Sequence, residues 1–319
     1  MGLEVNGIKC LLSARKIGVS FKRVMMIGRQ GLFITPDLLR KNLAKLGIEK
    51  SFEEIAGILS ENGGFAEPFF LKILGAEDVQ SIDYSTFENA SVIHDMNIPV
   101  PDDLKNRFTA VIESGSLEHI FNVSQALKNC MEMTKVGGHF IGIMPANNYM
   151  GHGFFQFSPE LLWRVFGGEN GFIIEQMILF ESVPNPKFYK IKDPKEIGER
   201  VTLVNQKPAY IFIQAKRITS VEIFLSYPQQ SDWVALWNKH SSRGDRMKAS
   251  EGEFKIEDLS AQQSRLITAF KSLLPRSLRI KLGRCLTDRK YFSLMNQDMY
   301  RSRGFNPKYY EEVDITNLK

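Results

Sequence analysis

The chain has little cysteine: Cys10, Cys130 and Cys285 are far apart in 319 residues, with no Cys-x-x-Cys pair. That excludes a disulfide framework and offers no zinc-ribbon spacing, and a reducing cytoplasm is the expected setting. No apolar run approaches the ~20 residues needed to span a bilayer. The N-terminus lacks a signal-peptide apolar region. Met1-Gly2 opens like a myristoylation start, but Asn6 stands where Ser or Thr is required. Internal repeats, low-complexity tracts and a Gly-x-Gly-x-x-Gly dinucleotide fingerprint are all missing.

Positive charge is scarce in most of the chain. Residues 216–319 hold 19 Lys/Arg and 12 Asp/Glu, a net of +7, leaving 22 and 24 in residues 1–215, a net of −2. A nucleic-acid groove in the main domain is therefore not expected. The basic run Arg276, Arg279, Lys281, Arg284, Arg289, Lys290 alternates with Leu278, Ile280, Leu282 and Leu286. Such a face is either solvated or makes weak contact with an anionic membrane surface.

The chain does have a series of short apolar runs that each end in polar residues. They are Arg23–Ile27 opening into Gly28-Arg29-Gln30-Gly31, then Val79–Asp83, Ile93-His94-Asp95, Phe108–Ser114 leading to Glu118-His119, and Phe140–Met144. Strands that are apolar throughout are buried on both faces, as in a parallel sheet, where ligands bind beyond the carboxyl ends. Asp83, Asp95, Glu113, Glu118 and His119 should then gather at one crevice. Phe172–Phe180 and Ala209–Ala215 read as two further, antiparallel strands, with residues 182–208 between them an exposed loop. Helices are expected over 3–20, from Pro36 to Gly47, from the Ser51/Glu54 capping box to Asn62, from Pro68 to Gly75, from Asn122 to Lys135, and over Leu161–Phe166, Ser231–Trp237 and Ser260–Leu274.

This order of strand ends resembles the class I (Rossmann-like) S-adenosylmethionine-dependent methyltransferases, and in particular bacterial methyltransferase-like proteins associated with surface polysaccharides. Asp83, Asp95, Ser-Leu-Glu-His-Ile (116–120) and Lys-Val-Gly-Gly-His-Phe-Ile (135–141) carry the likeness over roughly residues 20–217. It implies an α/β fold with a mostly parallel seven-stranded sheet and helices on both faces. Residues 1–217 would form this domain, with a helical insertion near 34–64, and 218–319 a mainly helical basic extension. The implied cofactor is S-adenosyl-L-methionine, held by Gly28, Arg29, Gln30, Asp83, Tyr84, Asp95, Met96, Ser114 and Glu118. The first-strand turn departs from the family pattern, because Met26 replaces the acid and the second glycine is missing. The family places acceptor-binding segments after the fifth strand, here Asn147, Asn148, Phe154 and Gln156.

His152, between Gly151 and Gly153, is a candidate catalytic base or orienting group, and His119 a second catalytic candidate with a structural reading beside it. No spacing marks a metal site, although the many Asp and Glu residues near the strand ends leave a divalent ion at the acceptor open. The function expected is methyl transfer to a small acceptor, with a hydroxyl of a sugar or glycan precursor the favoured one. The alternatives are a catalytically degenerate scaffold, which the damaged glycine turn would explain, and a Rossmann-like oxidoreductase, which the missing fingerprint disfavours.

Overall fold

The computed structural model describes residues 2–241 and 307–318. They divide into one compact unit, residues 2–235 with 307–318, and a second unit represented by Leu236–Ser241, the C-terminal part of a helix. The segment Arg276–Lys290 and the expected helix Ser260–Leu274 lie outside the described residues.

The chain opens with β1 (Gly2–Glu4) and α1 (Val5–Lys16), followed by β2 (Arg23–Ile27) and β3 (Gly31–Phe33). Next come α2 (Pro36–Ala44), α3 (Phe52–Ser60) and α4 (Glu67–Phe69), the last running into a π-turn over Phe70–Leu74. Then follow β4 (Asp78–Asp83), β5 (Val92–Ile93), β6 (Phe108–Ser114), α5 (Val123–Met133) and β7 (Thr134–Pro145). After these come α6 (Pro159–Val165), β8 (Phe172–Glu181), β9 (Phe188–Ile191), α7 (Pro194–Ile197), β10 (Ala209–Arg217), α8 (Ser231–Ser241) and β11 (Tyr310–Val313).

The helix starts are set locally. In α3 the Ser51 side chain accepts from the Glu54 N–H while the Glu54 carboxylate takes the Ser51 N–H, so two otherwise orphaned donors are satisfied at once. Asn122 and Ser158 cap α5 and α6 in the simpler way.

The strands lie in the order β11-β9-β8-β10-β7-β6-β2-β4-β5. From β2 the chain runs outward through β4 to β5, then returns to the other side of β2 to lay down β6 and β7. That reversal is a doubly wound topology with its switch point at β2 and β6, and the five strands are parallel. The sheet is therefore Rossmann-like and mixed, but it has nine strands rather than the expected seven. The two expected antiparallel strands are β8 and β10, with β10 antiparallel both to β8 and to β7 at the edge of the parallel core. The two additional strands are β9, inside the stretch read as an exposed loop, and β11, from the stretch read as a helical extension. They pair with each other at the far edge. β1 and β3 form a separate parallel pair.

Strand side chains alternate between faces, and the buried residues sort accordingly. Met25, Ile27, Val111 and Phe140 join α5 and α6 in one core. Val24, Met26, Ile112 and Ile141 join α1 to α4 in the other. The helical insertion is thus the roof of the second core, with Leu39, Leu43, Ile55 and Ile58 buried beneath it. No described helix is long and apolar enough to cross a membrane.

The Gly137-Gly138 pair has a packing reason. The β6–β7 register jumps from Phe108↔Thr134 to Ala110↔His139, so Lys135–Gly138 bulge out of the ladder. A Cβ on Gly138 would lie 2.9 Å from the Thr109 carbonyl oxygen and 3.0 Å from those of Phe108 and Lys135. All three are backbone atoms and cannot swing aside. Gly138→Ala should lower the unfolding free energy by about 1–3 kcal/mol, the usual cost of overpacking. Urea denaturation of the variant against the parent chain measures this, and an unchanged midpoint would show that the bulge relaxes freely.

Candidate functional site

The carboxyl ends of β2, β4 and β6 meet at the switch point. The Gly28 N–H donates to the Ile82 carbonyl (2.8 Å), tying the end of β2 to β4. The Ile27 carbonyl accepts from Gln30 Nε2 and from Ser116 Oγ, each at 2.6 Å. Around this point lie two cavities.

The first, about 420 Å³, is lined by Gly28, Asp83, Tyr84, Asp95, Met96 and His119, among others. Asp83 is half-buried, and among the described residues its carboxyl accepts a single long bond from the Ser85 N–H (3.3 Å). Lone pairs therefore remain for a ligand. Asp95 is more committed. Its Oδ1 accepts from the Asn97 backbone N–H (2.9 Å) and side-chain amide (2.7 Å), and these bonds hold the carboxyl below the usual range.

The second cavity, about 360 Å³, is lined by Glu4, Phe33, Ser114, Glu118, His119, His152 and Tyr210, among others. His119 lines both cavities, so they adjoin at its ring.

The turn after β6 builds this junction. Glu113 is fully buried, and its Oε1 accepts from the N–H groups of Ser116 (2.6 Å) and Leu117 (3.1 Å). Burial, and then the neighbouring Glu118 carboxyl, push Glu113 up to about 8. The braced turn presents Glu118, fully buried, and His119, exposed. Burial raises the Glu118 carboxyl as well. The segment after β7 then folds over it. The Phe154 N–H donates to the Glu118 carbonyl (2.7 Å), and so does that of Phe155 (3.3 Å). His152 comes to lie with Nε2 3.2 Å from Glu118 Oε1, off the line of a hydrogen bond, and with its ring 5.1 Å from that of His119. Tyr149 stands behind, 5.6 Å from the His152 ring and 4.8 Å from that of Tyr210.

The structure thus brings Gly28, Asp83, Tyr84, Asp95, Met96 and His119 to one cavity and Ser114, Glu118, His119 and His152 to the other. The remaining candidates point elsewhere. Arg29 is paired with Glu67 (2.6 Å), donates to the Glu88 carbonyl and lies over the Phe65 ring. Gln30 is buried against β2. Asn147 and Asn148 hold Asn205 and the Lys207 carbonyl. Phe154 packs edge-on to Phe121, and Gln156 accepts from the Tyr149 N–H. Glu4, Phe33 and Tyr210 are wall residues that carried no local signal. Tyr210 follows only from the antiparallel register that sets it opposite Pro145, at the carboxyl end of β7.

No family model and no curated protein sequence matches the chain. Among solved structures it is similar to TehB from Haemophilus influenzae, at 15% identity over 65% of this chain and 61% of that one, with a TM-score of 0.37. A putative methyltransferase from Bacillus halodurans is 14% identical over 65% of this chain and 99% of that one, TM-score 0.36. A possible histamine N-methyltransferase from Thermotoga maritima is 16% identical over 65% and 87%, TM-score 0.29. The chain thus spans less than two thirds of TehB.

Gly153 has φ +75°, and a Cβ there would meet the Glu118 carbonyl oxygen at 2.7 Å. Both the conformation and the contact demand glycine. Gly153→Ala should cost about 1–3 kcal/mol and lift the segment off Glu118. Amide exchange at Phe154 and Phe155 would then quicken selectively. Unchanged protection at those two amides would mean that the contact does not hold the segment.

Proposed function

We propose that the chain transfers a methyl group from S-adenosylmethionine to a small acceptor. The observation that carries this reading is the pair of adjoining cavities at the switch point, one offering an uncommitted Asp83 carboxyl and the other a Glu118–His152 wall. When bound, S-adenosylmethionine supplies an electrophilic methyl on a sulfonium. Asp83 has the free lone pairs to accept from both ribose hydroxyls, and Met96 and Ile120 give the same cavity apolar walls for the base. The acceptor occupies the second cavity, so that His119 marks the line of transfer. Holding the two partners in line is most of what such catalysis requires. His152 acts on the acceptor as general base or orienting group. O-methylation of a sugar or glycan precursor is the acceptor chemistry we favour. Two free, buried thiols, Cys10 and Cys130, suit a reducing cytoplasm.

A second reading has its own observation. Arg29 and Gln30, which follow the first glycine of the turn, are consumed by internal contacts, as in a fold kept for binding rather than catalysis. Calorimetry separates the two. The parent chain should bind S-adenosylmethionine, and Asp83→Ala should weaken binding by about 1–3 kcal/mol, as for a lost charge-assisted hydrogen bond. No heat at millimolar cofactor would leave the scaffold reading standing.

His152→Ala should reduce turnover by about a hundred- to ten-thousand-fold with cofactor affinity nearly intact. Parallel loss of both, in turnover and cofactor-titration assays, would assign His152 to holding the fold instead.

A further inference from the structure

We propose that Glu118, His119 and His152 form a binding site for a divalent first-row transition-metal ion at the junction of the two cavities. One ligand atom from each residue can be chosen so that all three lie within 4.8 Å of one another. Two imidazoles and a carboxylate are a donor set suited to zinc, iron, cobalt or manganese, whereas magnesium and calcium prefer oxygen alone. Around an ion with bonds of about 2.0–2.2 Å, neighbouring ligand atoms sit about 3 Å apart. The donors must therefore close in slightly, and both histidines are solvent-exposed.

The second, independent observation is the state of Glu118. It is 0% exposed and lines the cavity, yet neither carboxylate oxygen has a hydrogen-bond partner among the described residues. Buried carboxylates are normally paired, hydrogen-bonded or coordinated to a metal. His152 approaches Oε1 at 3.2 Å without the alignment of a hydrogen bond. The placement of Glu118 is fixed from two sides, by the Glu113-braced turn and by the donors from Phe154 and Phe155. A fixed carboxylate with no hydrogen bond to either oxygen, beside two exposed histidines, is an arrangement that an ion completes.

Three protein ligands leave coordination positions open, as in catalytic rather than structural metal sites. The second cavity is where an acceptor would meet them. An acceptor oxygen bound there would lose its proton more readily, as metal-bound water does. That use of the ion rests on the proposed methyl transfer, with His152 then orienting the acceptor through the ion rather than taking its proton; the existence of the site does not.

The test is zinc titration of the chelator-stripped full-length chain, by calorimetry and without S-adenosylmethionine, with visible absorption on cobalt substitution as a second readout. One ion per chain is expected. Affinity should fall at least about tenfold in His119→Ala and in His152→Ala, be lost in the double variant, and be unaffected by His94→Ala. Cobalt d–d bands should vanish with the same two histidines. Zinc binding that survives in the double variant, or that His94→Ala abolishes equally, would overturn the site, as would the absence of a one-ion isotherm in the parent chain. Should Glu118→Gln fail to fold, the two exposed histidines still decide the matter. A chain that binds cofactor but no metal sinks this proposal alone, and one that binds metal but no cofactor sinks the methyl-transfer reading alone.

Discussion

The Glu118 carbonyl receives the Phe154 and Phe155 N–H groups, while its buried carboxyl lines the second cavity. One residue thereby ties the end of β6 to the segment leaving β7, and the relation of His119 to His152 follows from that tie. Asn147 and Asn148 anchor the start of the same segment to Asn205 and the Lys207 carbonyl, and the Glu118 tie fixes its far part, beside His152. The cost is a desolvated acid, which is tolerable only with compensation. Glu113, a second buried carboxyl, does not lower that cost, but it stiffens the turn. It gathers N–H groups of the turn onto one oxygen, so the backbone there is satisfied and stiff.

The two adjacent buried carboxyls also set the electrostatic character of the junction. Both are raised by burial, and Glu113 is raised further by Glu118. A cation placed beside them would favour their ionised forms and be stabilised in return. The uneven charge along the chain is consistent with this. The part that forms the junction carries a slight negative excess, and the excess of Lys and Arg belongs to residues 216–319.

Much of this was legible in the sequence where the determinant is local. The Ser51/Glu54 box, the Asn122 and Ser158 caps and the Gly75 stop are properties of a few neighbouring residues, and the helices start and end close to them. Asp83, Glu118 and His119 could be placed because an apolar run that ends abruptly marks a strand's carboxyl end. Residues that reach the site through register could not be placed this way. Tyr210 arrives from an antiparallel strand, and Glu4 and Phe33 from the small β1–β3 pair. Arg29 and Gln30 were at the right place in the chain, but nothing local reveals that their side chains turn toward Glu67 and Ile27. The strand β9 is four residues long and flanked by prolines and charges, so it reads as loop until its partner is known.

That partner, β11, has a bearing on how the chain survives its own synthesis. β9 leaves the ribosome long before residues 310–313, and in the interval its outer edge presents unmatched N–H and C=O groups, an invitation to pair with another chain. β9 is short, and Lys187, Lys190 and Lys192 lie in or beside it. These are the features that discourage a foreign strand. The strand that finally arrives carries Glu311 opposite Lys190, and Glu312 within 3.0 Å of Lys187. The same cations that hold strangers off the nascent edge select the acidic segment that belongs there.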